Sequence, residues 1–103
     1  MPVWQKVCDL AALPGPGVCS VRLSEINVAV FRLADSRLLA LEDRCPHRGA
    51  PLSQGTVFDA DKVACLDHGW CIRLTDGEVE PPDVGRATTF QVKVEAGAVL
   101  VLV

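Results

Sequence analysis

The segment TFQVKVE (89–95) alternates without a break. Phe90, Val92 and Val94 fall on one side of an extended chain, and Gln91, Lys93 and Glu95 on the other. That period of two constrains the chain most, because a helix would scatter the same residues around its circumference. The pattern recurs in VCSVRL (18–23), where Cys19, Val21 and Leu23 share a face opposite Ser20 and Arg22. NVAVFRL (27–33) and LLALE (38–42) are apolar almost throughout, as strands covered on both faces are. Pro14-Gly15-Pro16-Gly17, Ala34-Asp35-Ser36, Asp76-Gly77 and Ala96-Gly97 supply turns, and the last predicts a hairpin joining 89–95 to 98–103. The best helix candidate, DLAAL (9–13), takes Asp9 as its cap and is stopped by Pro14 after about one turn. Many short strands with frequent turns predict an all-β sandwich or barrel.

At 103 residues the chain suits a single domain, 1–103. Half of it is hydrophobic, which favours a packed core over disorder. A net charge of −3 gives no electrostatic footing for nucleic acid. The longest apolar run, AVLVLV (98–103), is far short of a membrane span. The N-terminal MPVWQKVCDLAALPGPG has no basic stretch leading into a long apolar core, so no signal peptide and a cytoplasmic address are expected. The five cysteines are Cys8, Cys19, Cys45, Cys65 and Cys71. An odd number without an export signal argues against a disulfide framework.

Two segments, 43–56 and 64–71, lose the strand pattern. They contain RCPHRGAPLSQG (44–55) and ACLDHGWC (64–71), with both histidines of the chain. They read as loops on a β scaffold, linked by TVFDADKVA (56–64), which can form a hairpin. Cys45 and His47 form Cys-x-His; Cys65 and His68 form Cys-x-x-His. Two thiolates and two imidazoles suit zinc, copper or an iron–sulfur cluster, and do not suit magnesium or calcium. The same set is ordinary zinc ligation, and spacing alone leaves that open. A Cys–His nucleophile explains one pair and leaves the other without a role. Gly49 and Gly69 can turn backbone N–H groups toward a cluster, Pro46 and Pro51 stiffen the first loop, and Pro81-Pro82 suggests a third, covering loop. Cys8, Cys19 and Cys71 are expected as core, Trp4 as core or edge packing, and Trp70 as loop packing near a docking surface. Arg48 either is solvated or orients a partner.

Taken whole, CPHRGAPLSQG followed by CLDHGW resembles the two boxes of the Rieske iron–sulfur family. The resemblance implies a three-sheet antiparallel β sandwich with two cluster-binding loops. It implies a [2Fe–2S] cluster, with Cys45 and Cys65 on one iron and His47 and His68 on the other. Leu66 stands where the family often has proline. Family members of respiratory complexes carry an extra, disulfide-bonded cysteine in each box, where this chain has Ala50 and Asp67. Their cluster-bonding serine corresponds to Trp70, and this chain has no tyrosine. The resemblance therefore implies a low-potential centre.

A Rieske centre moves one electron at a time. The chain has no nucleotide-binding glycine motif or P-loop, so an electron carrier or redox subunit is expected rather than a catalyst alone. The flanks VAVFRLADSRLLALEDRCPHRGAPLSQGTV and LTDGEVEPPDVGRATTFQVKVEAGAVLVLV are similar to the small-subunit family of assimilatory NAD(P)H-dependent nitrite reductase. That similarity implies a large sirohaem flavoprotein subunit as partner, reducing nitrite to ammonium. The same boxes also fit a ferredoxin that passes electrons from a reductase to the terminal oxygenase of an aromatic-ring dioxygenase. A third reading is a non-redox accessory subunit that uses a metal for stability.

Overall fold

The computed structural model describes every residue except Arg48, Asp67 and His68. Among the described residues the chain forms strands and two short 3₁₀ turns, with no α-helix. The strands are β1 (Trp4–Asp9), β2 (Gly17–Leu23), β3 (Ile26–Arg32), β4 (Leu38–Glu42), β5 (Thr56–Phe58), β6 (Lys62–Ala64), β7 (Cys71–Arg73), β8 (Thr89–Phe90), β9 (Val92–Glu95) and β10 (Ala98–Leu102). They make three antiparallel sheets: β2-β3-β4-β8, β1-β10-β9 and β5-β6-β7. The all-β expectation holds.

The near-continuous apolar character of β3 and β4 has a direct cause. Ala29 and Phe31 of β3, with Leu41 of β4, enter a core completed by Val63, Ile72 and Leu74. The alternate residues Val28, Val30 and Ala40 enter a second core with Leu13, Val99 and Val101. The four-stranded sheet therefore lies between two cores, and residues of either parity must be apolar. Each fully buried Val, Leu or Phe side chain contributes about 1.5–3 kcal/mol to this layering. β2 lies at the edge of the same sheet and keeps the expected alternation, with Cys19 and Val21 packing against the second core.

TFQVKVE is not one strand. Thr89 and Phe90 pair with β4, whereas Val92–Glu95 pair with β10 in a different sheet. Gln91 is the hand-over point, and its carbonyl accepts the Leu102 N–H at 3.0 Å. The uniform alternation hides this switch, because the apolar side stays in register on both sides of it. Val94 departs from its inward assignment. It lies opposite Val99, but on an edge strand beside the terminal turn, and is 44% exposed. The turn itself is as expected: Ala96 and Gly97 both have positive φ (51° and 76°), the pair of left-handed residues that closes a two-residue hairpin.

Two N-terminal features differ from the sequence reading. DLAAL forms a single 3₁₀ turn, Leu10–Ala12, and Asp9 makes no capping hydrogen bond. Its carboxylate instead pairs with Lys6 Nζ at 2.7 Å on the surface. The turn is held by the Leu13 N–H on the Leu10 carbonyl and by the Arg32 guanidinium, which donates to the Leu13 carbonyl at 2.8 Å. Strand β1 was not legible because a register shift between Lys6 and Cys8 breaks its period of two. Trp4 sits on this edge strand, 38% exposed, with Lys93 Nζ 4.2 Å from its ring centroid. Among the described residues no helix is long and apolar enough to cross a membrane.

Candidate cluster-binding site

The expected hairpin linking the loops forms as β5 and β6, with Thr56 opposite Ala64. It delivers Cys65 directly from the end of β6, while Cys45 follows three residues after β4. Each cysteine opens a loop on the same hydrogen-bond frame. The Cys45 N–H donates to the Ala50 carbonyl and the Gly49 N–H to the Cys45 carbonyl, at 2.7 and 2.8 Å. In the second loop the Cys65 N–H donates to the Trp70 carbonyl and the Gly69 N–H to the Cys65 carbonyl, at 2.7 and 3.2 Å. Gly49 and Gly69 occupy the same place in the two frames, with φ of 77° and 67°. A β-carbon at Gly69 would meet none of the described residues beyond its chain neighbours within 4 Å, and the left-handed backbone there is what favours glycine.

The first loop is anchored twice. Leu52, in the 3₁₀ turn Leu52–Gln54, is fully buried in the same core as Cys45 and Cys65. Asp43, 7% exposed, forms the second anchor. Its Oδ1 accepts the Ser53 N–H at 2.7 Å, and its Oδ2 accepts the Ser53 and Ser20 hydroxyls, both at 2.6 Å. Its own N–H donates to the Asn27 carbonyl at 2.8 Å. One carboxylate thus ties β2 and both ends of the loop together, and three donors offset its removal from water. Sequence reasoning missed Asp43. It stands in the charged run Glu42-Asp43-Arg44, which reads as solvated, and its donors come from residues 10 and 23 positions away.

Cys45 and Cys65 are 1% and 3% exposed and lie in one buried cluster. His47 is half-buried, its Nδ1 is shielded from solvent, and its ring stacks on Trp70 with centroids 4.2 Å apart and planes 7° from parallel. His68 lies outside the described residues, as do Arg48 and Asp67. Among the described residues no three His, Cys, Asp or Glu side chains gather to hold one metal ion. A Rieske centre does not ask for that, since its thiolates and imidazoles bind different irons. Two thiols in an apolar core with an imidazole nearby fit the soft donor set of such a cluster.

The other cysteines sit apart in role. None of the five forms a disulfide. Cys8 and Cys19 are half-buried on β1 and β2 at the flank of the second core, less deep than expected. The Cys8 thiol is pushed up to about 11, first by burial and then by Cys19 beside it. Cys71 is half-buried at the start of β7, and its S–H donates to the Gly69 carbonyl at 3.6 Å. The expected covering loop is present: a β-carbon at Gly85 would lie 3.4 Å from Pro46 Cβ, so the segment after Pro81-Pro82 lies against the first loop. Leu66, next to Cys65, and Val84, on the covering loop, are 69% and 87% exposed.

A family model described as a Rieske [2Fe–2S] domain matches residues 3–91. Ferredoxin CarAc of Metapseudomonas resinovorans is 34% identical over 101 residues, covering 96% of this chain and 92% of its own. The chain spans about a quarter or less of several longer curated relatives, including 24% of a 4β-methylsterol monooxygenase of Methylococcus capsulatus to which it is 39% identical over 90 residues. Among solved structures, one described as an NADH-dependent nitrite reductase small subunit from Mycobacterium tuberculosis is 26% identical with a TM-score of 0.87, covering 99% of this chain and 96% of that one. A complex of oxygenase and ferredoxin in carbazole 1,9a-dioxygenase matches at 30% identity and a TM-score of 0.86, covering 97% and 93%. With its three antiparallel sheets, its paired cysteine loops and a family match over most of its length, this chain belongs to the Rieske [2Fe–2S] domain family.

Proposed function

We propose that Cys45, Cys65, His47 and His68 hold the cluster, with the two thiolates on one iron and the two imidazoles on the other. The observation that carries this is the twin frame, which starts two separate loops from cysteines buried in one core and puts a histidine two or three residues past each. The cluster supplies one-electron transfer. The chain's own part is to exclude water around Cys45 and Cys65, to orient His47 against Trp70, and to hold the first loop through Asp43.

The finer role is the small subunit of an NAD(P)H-dependent nitrite reductase, with residues 1–103 acting as one Rieske domain. A large sirohaem flavoprotein is then the partner, and the setting is cytoplasmic nitrate assimilation. The flanking segments and the end-to-end likeness to the mycobacterial small subunit support it. A second reading, a ferredoxin serving a reductase and a terminal oxygenase, is favoured by the 34% identity to CarAc over nearly its whole length. In both readings the centre is low-potential, near the roughly −150 mV end of the Rieske range. The place of the high-potential serine is filled by Trp70, whose ring is engaged with His47. With fewer hydroxyl donors to the sulfides, the reduced state is stabilised less. A strongly positive midpoint at neutral pH would remove this reading. The role is tested by tagged capture from the native host grown on nitrate. A sirohaem flavoprotein with nitrite-dependent NAD(P)H oxidation is expected; an oxygenase or its reductase establishes the ferredoxin role instead.

A further inference from the structure

The two loops share one hydrogen-bond frame, and one position separates them sharply. The residue whose carbonyl receives the cysteine N–H is Ala50 in the first loop and Trp70 in the second. Both pack against the core that contains Cys45 and Cys65. The methyl group of Ala50 stops there. The indole of Trp70 is long enough to leave its own loop, and it lies flat against His47 of the other, 4.2 Å away and 7° from parallel.

This matters because the ring torsion of histidine is broad, so its plane is set by what the ring touches. Ligand histidines depend on such outer contacts for their orientation. Here the contact is a ring face. Trp70 is itself placed from two sides, since its carbonyl takes the Cys65 N–H at 2.7 Å and its side chain packs on the core. It therefore links the backbone of a cysteine in one loop to the imidazole of a histidine in the other.

We infer that Trp70 is a positioning residue: its indole holds the His47 imidazole in the plane in which it binds the cluster, and so fixes the two loops relative to each other. This rests on the reading of His47 as a ligand. Trp70 touches no iron and donates no proton in this role.

The test uses the full chain loaded with cluster, in W70F, W70L and H47A variants. The readouts are the g-values and line width of the reduced cluster by electron paramagnetic resonance, and the half-life of the cluster on dilution into chelator. Phenylalanine keeps a planar face, so W70F should retain the parental spectrum and most of the half-life. Leucine keeps apolar volume against the core but has no face, so W70L should show shifted, broadened g-values and release the cluster on the order of tenfold faster. Circular dichroism of the cluster-free W70L protein should match the parent, which separates positioning from loss of fold. If W70L behaves like W70F, or if the cluster-free W70L protein is unfolded, Trp70 is packing and the inference is overturned. H47A distinguishes the underlying reading: a parental spectrum there shows that His47 is not a ligand, whatever Trp70 does.

Discussion

The two cores of this molecule share strands β3 and β4 and do different work. The second core is closed by regular ladders, with Val28, Val30, Val99 and Val101 all on paired strands. Its cysteines, Cys8 and Cys19, sit at the flank and are half-buried. The first core takes Ala29, Phe31 and Leu41 from the other face of the same sheet, but is completed by loops that contribute Cys45, Leu52 and Cys65. The most deeply buried thiols are therefore on the least regular backbone. Depth here follows from the loop frames and their anchors, not from strand pairing. The lesson is that one sheet can devote one face to stability and the other to a cofactor.

The largest expected effect tests that division directly. Replacing Cys45 or Cys65 by serine should abolish the visible and paramagnetic signature of the cluster, whereas C8A and C19A should load fully. Retention of the signature in C45S would break the comparison. Next in size is a matched pair of leucines. Leu13 and Leu52 are 1% and 0% exposed in the second and first core. L13A and L52A should each lower stability by about 2–5 kcal/mol in denaturant unfolding. Only L52A should also shorten cluster retention, because it loosens the first loop.

A smaller effect is expected at Asp43. D43A leaves the Ser20 and Ser53 hydroxyls and the Ser53 N–H without their acceptor, which should cost about 1–3 kcal/mol and speed cluster release. D43N restores the shape but offers one acceptor oxygen in place of two, and should fall between. An unchanged D43A in both assays would mean that the first loop is held by Leu52 alone. The smallest effect concerns Cys8. Its folded-state value is raised from 9.0 to about 11, so folding favours the neutral thiol. That contribution is complete below pH 9 and is lost as pH rises toward 11. Stability measured across this window should fall less steeply in C8A than in the parent. The thiol should also alkylate slowly near neutral pH. An identical slope in C8A would show that the flank thiols do not feel their surroundings.

Much was written in the residue order. The alternation in 18–23, the apolar runs at 27–33 and 38–42, and the turn at Ala96-Gly97 are local patterns, and each became the strand or hairpin expected of it. The donor set was also legible, since Cys-x-His and Cys-x-x-His need only spacing and chemistry. Other features were decided by contacts distant in sequence. Strand β1 was hidden by a shift of register, and the single pattern at 89–95 was divided between two sheets. Asp43 became a buried anchor only because Ser20 and Ser53 were brought to it, and Trp70 met His47 only because two loops were folded onto one frame. The physical reason is the range of the interactions. Periodicity and turn chemistry act between residues a few positions apart and leave a mark in the sequence, whereas a hydrogen bond or ring stack between loops exists only once the tertiary structure has placed both partners.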